Sequence, residues 1–96
     1  MDQDVRVLHN TESSRYEIVV DGRVVGIADY RADGGAVVFP HTEIDPSMRG
    51  RGLAAELVRH ALDDVRSTGA SVVPLCWYVA QFIDEHPEYQ DLVAAA

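Results

Sequence analysis

The hydrophobic period of the chain changes once, between Asp45 and Gly52, and that change constrains the fold more than any other feature. Before it, apolar residues alternate with polar ones or gather in short β-branched runs, as strands require. Val5, Val7 and His9 mark a first short strand, and Tyr16, Ile18, Val19 and Val20 a second. Asp21-Gly22-Arg23 is a tight turn, because glycine takes a positive φ without steric cost. Residues 24–30 return as the partner strand, Ala32-Asp33-Gly34-Gly35 turns again, and residues 36–44 form a fourth strand. Pro40 lacks an amide proton, so it predicts an edge or a bulge there.

After Gly52 the period is that of a helix. Leu53, Ala54, Leu57, Val58, Ala61, Leu62 and Val65 share one face, while Glu56, Arg59, His60, Asp63 and Asp64 fall largely on the other. The spacing predicts a helix over 52–67, ended by Thr68-Gly69. Residues 70–75 read as a short buried strand. A second helix spans 77–85, with Trp77, Phe82 and Ile83 expected in the core. Pro87 stops it, residues 88–93 give a last helical turn, and Ala94, Ala95 and Ala96 are expected to fray. The fold class is therefore α/β (α+β) with a mixed sheet. An antiparallel meander is followed by a βαβ-type crossover, expected to be right-handed, and a C-terminal helix.

Length and charge narrow the function. Ninety-six residues suit a single domain, 1–96. Eight basic residues, all arginine, against sixteen acidic ones give a net charge of −8. That balance argues against duplex nucleic acid as a partner; it suits a cationic or amine-bearing substrate, and equally serves plain solubility. No apolar run is long enough to cross a membrane, and the acidic start MDQDVRVLHN has no apolar signal region, so the expected location is cytoplasmic. Cys76, the single cysteine, cannot form an intrachain disulfide or a multi-cysteine zinc site. His41-x-Glu43 with Pro74 and Cys76 falls short of the zinc deaminase pattern, which needs a second cysteine. His9, His60 and His86 share no ligand spacing, so no metal is expected. The oligomeric state leaves no trace in the sequence.

Arg49-Gly50-Arg51-Gly52-Leu53-Ala54 stands between a strand and a helix N-terminus. First-turn amides lack intrahelical partners and the helix dipole is positive there, so such a loop binds phosphate oxygens readily. The bland alternative is a glycine-rich turn that only caps a helix. A P-loop is excluded because it ends in Gly-Lys-Ser/Thr and the chain has no lysine. Gly50, Gly52 and Ala55 match the dinucleotide fingerprint formally, but that fingerprint follows the first strand of a parallel sheet, not a meander.

The loop with its surroundings resembles the GCN5-related N-acetyltransferase superfamily. The Gln/Arg-x-x-Gly-x-Gly/Ala motif of that family is met by Arg49, Gly50, Arg51, Gly52, Leu53 and Ala54, and Ile44-Asp45-Pro46 is similar to its strand-end approach. His41-Thr42-Glu43-Ile44, the loop, and Pro74-Leu75-Cys76-Trp77-Tyr78-Val79 in that order resemble a minimal subfamily, over roughly 16–92 of this chain. The resemblance implies a mixed-sheet fold and acetyl-CoA as cofactor. It implies that Ile44, Arg49, Gly50, Arg51, Gly52, Leu53 and Ala54 hold the coenzyme, with Cys76 near the thioester. The stretch before the meander is too short for the two helices that precede it in larger members, which leaves the acceptor side open and the acceptor unspecified.

Acetyl transfer needs a base for the amine proton and a donor for the developing oxyanion. Glu43 is the first candidate base, on the expectation that a position near the sheet centre desolvates it and raises its pKa. His41, two residues earlier on the same face, is the rival base or the partner of Glu43. An ordinary solvent-facing glutamate and a structural histidine are the plain alternatives. Cys76 is either a covalent acetyl carrier or a buried cysteine acting as a small hydrophobe. Tyr78 is a packing aromatic or a hydroxyl near the leaving thiolate. The function expected is an acetyl-CoA-dependent N-acetyltransferase acting on an unidentified amine. A weakly catalytic or regulatory acyl-CoA-binding module is the alternative, and a dinucleotide-binding fragment a distant third.

Overall fold

The computed structural model describes residues 3–94; the expectations for Met1, Asp2, Ala95 and Ala96 lie outside the described residues. Five strands form one sheet in sequence order: β1 (Val5–Asn10), β2 (Arg15–Val20), β3 (Arg23–Asp33), β4 (Ala36–Ile44) and β5 (Ser71–Pro74). The first four pair antiparallel, and β5 pairs parallel to β4 after the crossover helix α1 (Leu53–Thr68). Helix α2 (Trp77–Glu85) follows, then a 3-10 segment (Pro87–Leu92) where an α-helical turn was expected. Proline takes its first turn, where the missing amide would have had no intrahelical partner in either kind of helix.

One face of the sheet carries the core. Tyr16, Ile18 and Val20 from β2, Ala28 from β3, Phe39 from β4 and Val72 from β5 are buried against Leu53, Leu57, Val58, Ala61, Leu62 and Val65 of α1. Val79, Phe82 and Ile83 of α2 join the same cluster. Leu57 and Leu62 are fully enclosed, and truncating either to alanine costs about 2–5 kcal/mol. Trp77 corrects the sequence reading: it is 73% exposed. It is the first residue of α2, just after the chain leaves β5, and its side chain stays outside the core cluster that takes Val79 of the same turn.

Two bulges shape β3 and β4. Val19 pairs with Val24 and Ile18 with Gly26, so Val25 is an extra residue, and it is buried. Asp29 pairs with His41 but Arg31 with Val38, so Tyr30 alone opposes Phe39 and Pro40, the irregularity that the proline predicts. A Cβ on Gly26 would collide with Ile44 Cδ1 and would lie 2.9 Å from Ile18 Cγ2 and 3.0 Å from Glu43 O. That close approach is why glycine occupies the position.

The C-terminal segment is clamped onto α1. Arg66 donates to both oxygens of Asp91 at 2.9 Å and to Glu88 O at 2.7 Å. The Tyr89 hydroxyl donates to Asp63 at 2.7 Å, and Ala94 N–H donates to Val72 O at 2.9 Å along the outer edge of β5.

Candidate active site

β4 outruns β5, and the site lies where they part. Their parallel ladder ends at Phe39 opposite Pro74, and Cys76 N–H donates to Phe39 O at 2.8 Å as the chain turns away. From Pro40 to Ile44, β4 has β3 on one side and no strand on the other. Asp45 N–H donates to Val25 O at 2.7 Å, so the main-chain groups of His41, Glu43 and Asp45 serve β3. By alternation those of Thr42 and Ile44 face the gap.

The loop after β4 is held in a fixed shape. Asp45 accepts from Ser47 N–H and Ser47 Oγ at 2.9 Å each, and from Arg23 at 2.9 Å. Arg23, then the two Ser47 donors, hold its carboxyl down to about 2. Pro46–Met48 forms one 3-10 turn. Gly50 and Gly52 then take φ of +80° and +75°, a left-handed conformation that glycine adopts freely. Gly52 is the N-cap of α1 and offers no side chain to the amides ahead of it. The helix's first bond is Glu56 N–H to Gly52 O at 3.2 Å. Among the described residues, no group accepts a hydrogen bond from the amides of Gly50, Arg51, Gly52, Leu53, Ala54 or Ala55.

All of these residues but Arg51 line a cleft of about 240 Å³, together with Ile44, Met48, Arg49 and Tyr78. It continues into a second hollow of about 390 Å³ lined by Thr42, Ile44, Arg49, Ala54, Trp77 and Tyr78. The cleft therefore runs from the helix N-terminus along the free edge of β4. Ala55 was not among the expected coenzyme residues; Tyr78, expected as a packing aromatic or a hydroxyl near the leaving thiolate, lines both hollows. Nothing lies within 4 Å of a Cβ built on Gly50 or Gly52, so a ligand can approach the main chain there.

The expected coenzyme residues converge, with one exception. The Arg51 side chain turns aside and donates to Gln3 Oε1 at 3.4 Å, so only its amide belongs to the loop. Leu53 is mostly buried in the core but still borders the cleft. Cys76 lies beyond Thr42, with its thiol 3.5 Å from Thr42 Oγ1, and is 8% exposed. Burial pushes that thiol up, but the Val79 amide, the Thr42 hydroxyl and the amides of Tyr78 and Thr42 together hold it below the ordinary cysteine value. Two of those amides belong to the first turn of α2, whose N-cap is Cys76 itself. Sequence reasoning passed over Thr42; its place between the two candidate bases was the available signal. The Tyr78 hydroxyl is held above its usual value by burial and by Glu85.

His41 and Glu43 share a face, as expected, with His41 Nε2 3.4 Å from Glu43 Oε2. The desolvation expected for Glu43 is not found: the side chains are 54% and 68% exposed. They stand on the sheet face opposite α1, which no helix covers among the described residues. Among those residues no histidine, cysteine or carboxylate cluster is built to hold a metal, and no helix is long and apolar enough to cross a membrane.

Comparison with known proteins decides the family. Residues 15–92 match the family described as GCN5-related N-acetyl-transferase. The chain belongs to the GCN5-related N-acetyltransferase family. Among its relatives, Protein NATD1 of Mus musculus is 30% identical over 86 residues, spanning 86% of this chain and 77% of that protein. The fold is that of a GCN5-like protein from Staphylococcus aureus solved in solution, with a TM-score of 0.73, 15% identity, and coverage of 95% of this chain and 89% of the other. A family acetyltransferase from Brucella melitensis, crystallised with acetyl-CoA, superposes with a TM-score of 0.61 at 23% identity over 75% of this chain. This chain spans only 54% of that longer protein.

Proposed function

We propose that the chain is an acetyl-CoA-dependent N-acetyltransferase acting on an amine. The observation that carries this reading is the set of six amides, from Gly50, Arg51, Gly52, Leu53, Ala54 and Ala55, that have no acceptor, all but Arg51 from residues lining a cleft that ends at the free edge of β4. A diphosphate is the ligand such a set suits, and Arg49 at the same cleft adds a guanidinium. The Brucella relative's bound acetyl-CoA supports the same ligand here. Gly50, Arg51, Gly52, Leu53 and Ala54 would hold the diphosphate, and Thr42 and Ile44 the part that runs along β4.

Acetyl-CoA supplies an activated thioester: the amine nitrogen gains the acetyl group as the carbon–sulfur bond opens. An ammonium acceptor loses two protons on becoming an amide; one goes to the leaving sulfur and the other to solvent through a base. Glu43, with His41 beside it, is placed to pass that proton outward, because both side chains are exposed next to the gap. The amide of Ile44 faces the gap and supplies a donor for a developing oxyanion, while that of Thr42 is turned to the Cys76 thiol. Cys76, with its thiol held low, is the candidate for a covalent carrier.

The exposure of Glu43 and His41 also fits a second reading, an acyl-CoA-binding module with slow or no transfer. Incubation with acetyl-CoA and a panel of amines, with thiol release followed, separates the two. Turnover of an amine supports the transferase; coenzyme binding with no amine turned over supports the module. Loss of turnover in Cys76→Ala, together with loss of an acetylated protein species in the mass spectrum, assigns the carrier. Retained turnover leaves direct transfer, with Glu43→Gln the variant that then abolishes it.

A further inference from the structure

Trp77 is the most exposed large apolar side chain among the described residues, yet it lines the hollow that continues the cleft along β4. The other exposed ones, Leu8, Val24, Leu75 and Val93, border neither space. Ile44, Arg49, Ala54 and Tyr78 line both the cleft and the hollow, whereas Thr42 and Trp77 line the hollow alone. The part of the hollow beyond the α1 N-terminus is therefore bounded by Thr42 of β4 on one side and Trp77 of α2 on the other. Tyr78 is packed against the core, and the Trp77 ring meets it edge-on with 5.8 Å between centroids. The indole thus stands on a fixed base while most of its surface stays open.

We propose that Trp77 is a positioning residue for the coenzyme: its indole closes over the arm that joins the diphosphate to the thioester and holds that arm against β4. The proposal rests on the coenzyme reading of the cleft and adds the residue that covers the arm. The diphosphate end is charged and suits the amides of 50–55. The arm is uncharged, with amide groups and a gem-dimethyl carbon, so it suits main chain on one side and apolar surface on the other. Ile44 supplies the main chain where β4 has no neighbour, and Trp77 supplies a large apolar face across from it. Covering the indole gains free energy from the arm and none from the phosphates. It also keeps water from a thioester lying next to Thr42 and Cys76.

The single tryptophan of the chain reports on this directly. Its emission and its quenching by acrylamide are followed as CoA or ADP is added, since ADP carries the diphosphate without the arm. Calorimetry gives both affinities for the parent protein, Trp77→Ala and Trp77→Phe. CoA should shift the emission to the blue and lower the quenching, and saturating ADP should do neither. Trp77→Ala should weaken CoA about tenfold and leave ADP unchanged, with most of the loss recovered in Trp77→Phe. All three proteins should share one Tm, because the indole lies outside the core cluster.

CoA bound with the emission unmoved, or CoA and ADP weakened alike by Trp77→Ala, would overturn the role of Trp77 while the coenzyme reading stands. Emission that follows protein concentration and not CoA would overturn it as well, giving the indole to a second copy of the chain. No binding of CoA to the parent protein removes the coenzyme reading and the role of Trp77 together. The expected shifts with no amine turned over support the role of Trp77 and remove only the transferase.

Discussion

The Cys76 thiol and the Thr42 hydroxyl lie 3.5 Å apart across the point where β4 and β5 separate. Thr42 also borders the hollow that continues the cleft, so it joins the thiol to the site. Removing the hydroxyl with Thr42→Val keeps the β-branched shape and takes away one of the donors holding the thiol down. The expected result is a thiolate absorbance titration that shifts to higher pH; with a single cysteine the signal has one source. The sign for stability follows from the direction. A depressed folded-state value adds stability that is complete above the ordinary thiol value and is lost as pH falls through the folded one. Thr42→Val should therefore narrow the stability gained at alkaline pH. An unmoved titration would show that the hydroxyl does not act on the thiol.

Asp45 controls the loop that carries the six amides. Its carboxyl is held at about 2, first by Arg23 and then by Ser47, so its contribution is present above the ordinary carboxylate range near 4 and is lost as pH falls through about 2. Asp45→Asn is expected to lower thermal stability at neutral pH. The gap from the parent protein should close as both are acidified from about 4 toward 2. Melting curves across that range check it, and a gap independent of pH would contradict the assignment.

Gly26 sits under Ile44, a wall of the cleft. Gly26→Ala forces a methyl toward the Ile44 side chain and the Glu43 carbonyl, and overpacking of this kind costs about 1–3 kcal/mol. Denaturant unfolding should show that loss, and coenzyme affinity should fall with it, because β4 must shift at the cleft. Full stability would mean that the strand yields freely there.

Gly52→Ala separates folding from binding. The left-handed φ of +75° costs a Cβ-bearing residue about 1–2 kcal/mol, yet the new methyl meets no protein atom within 4 Å. The expected outcome is a modest fall in Tm with a larger loss, about tenfold or more, in CoA affinity measured by calorimetry. Equal affinities would place the ligand elsewhere.

Much of this was legible in the sequence for local reasons. The helix face from Leu53 to Val65, the tight turn at Gly22 and the bulge at Pro40 follow from periodicity and from backbone restrictions that belong to those residues. What escaped depends on distant partners. The burial of Val25 follows from a bulge set by pairing with β2, which nothing in Val24-Val25-Gly26 announces. Trp77 looks like a core residue by spacing, yet where the chain leaves β5 turns it outward. Glu43 was expected to be desolvated because its strand is central; whether a helix covers its face is a property of the whole topology. Arg51 faces the N-terminal segment, a contact 48 residues away in sequence.

The most direct test follows the backbone amide signals of 50–55 by NMR while CoA is added. The expected result is saturable shifts concentrated at Gly50, Arg51, Gly52, Leu53, Ala54 and Ala55, continuing to Thr42 and Ile44 along β4. Amides that stay unmoved at saturating CoA, or shifts confined to another surface, would contradict a coenzyme site built from the N-terminus of α1.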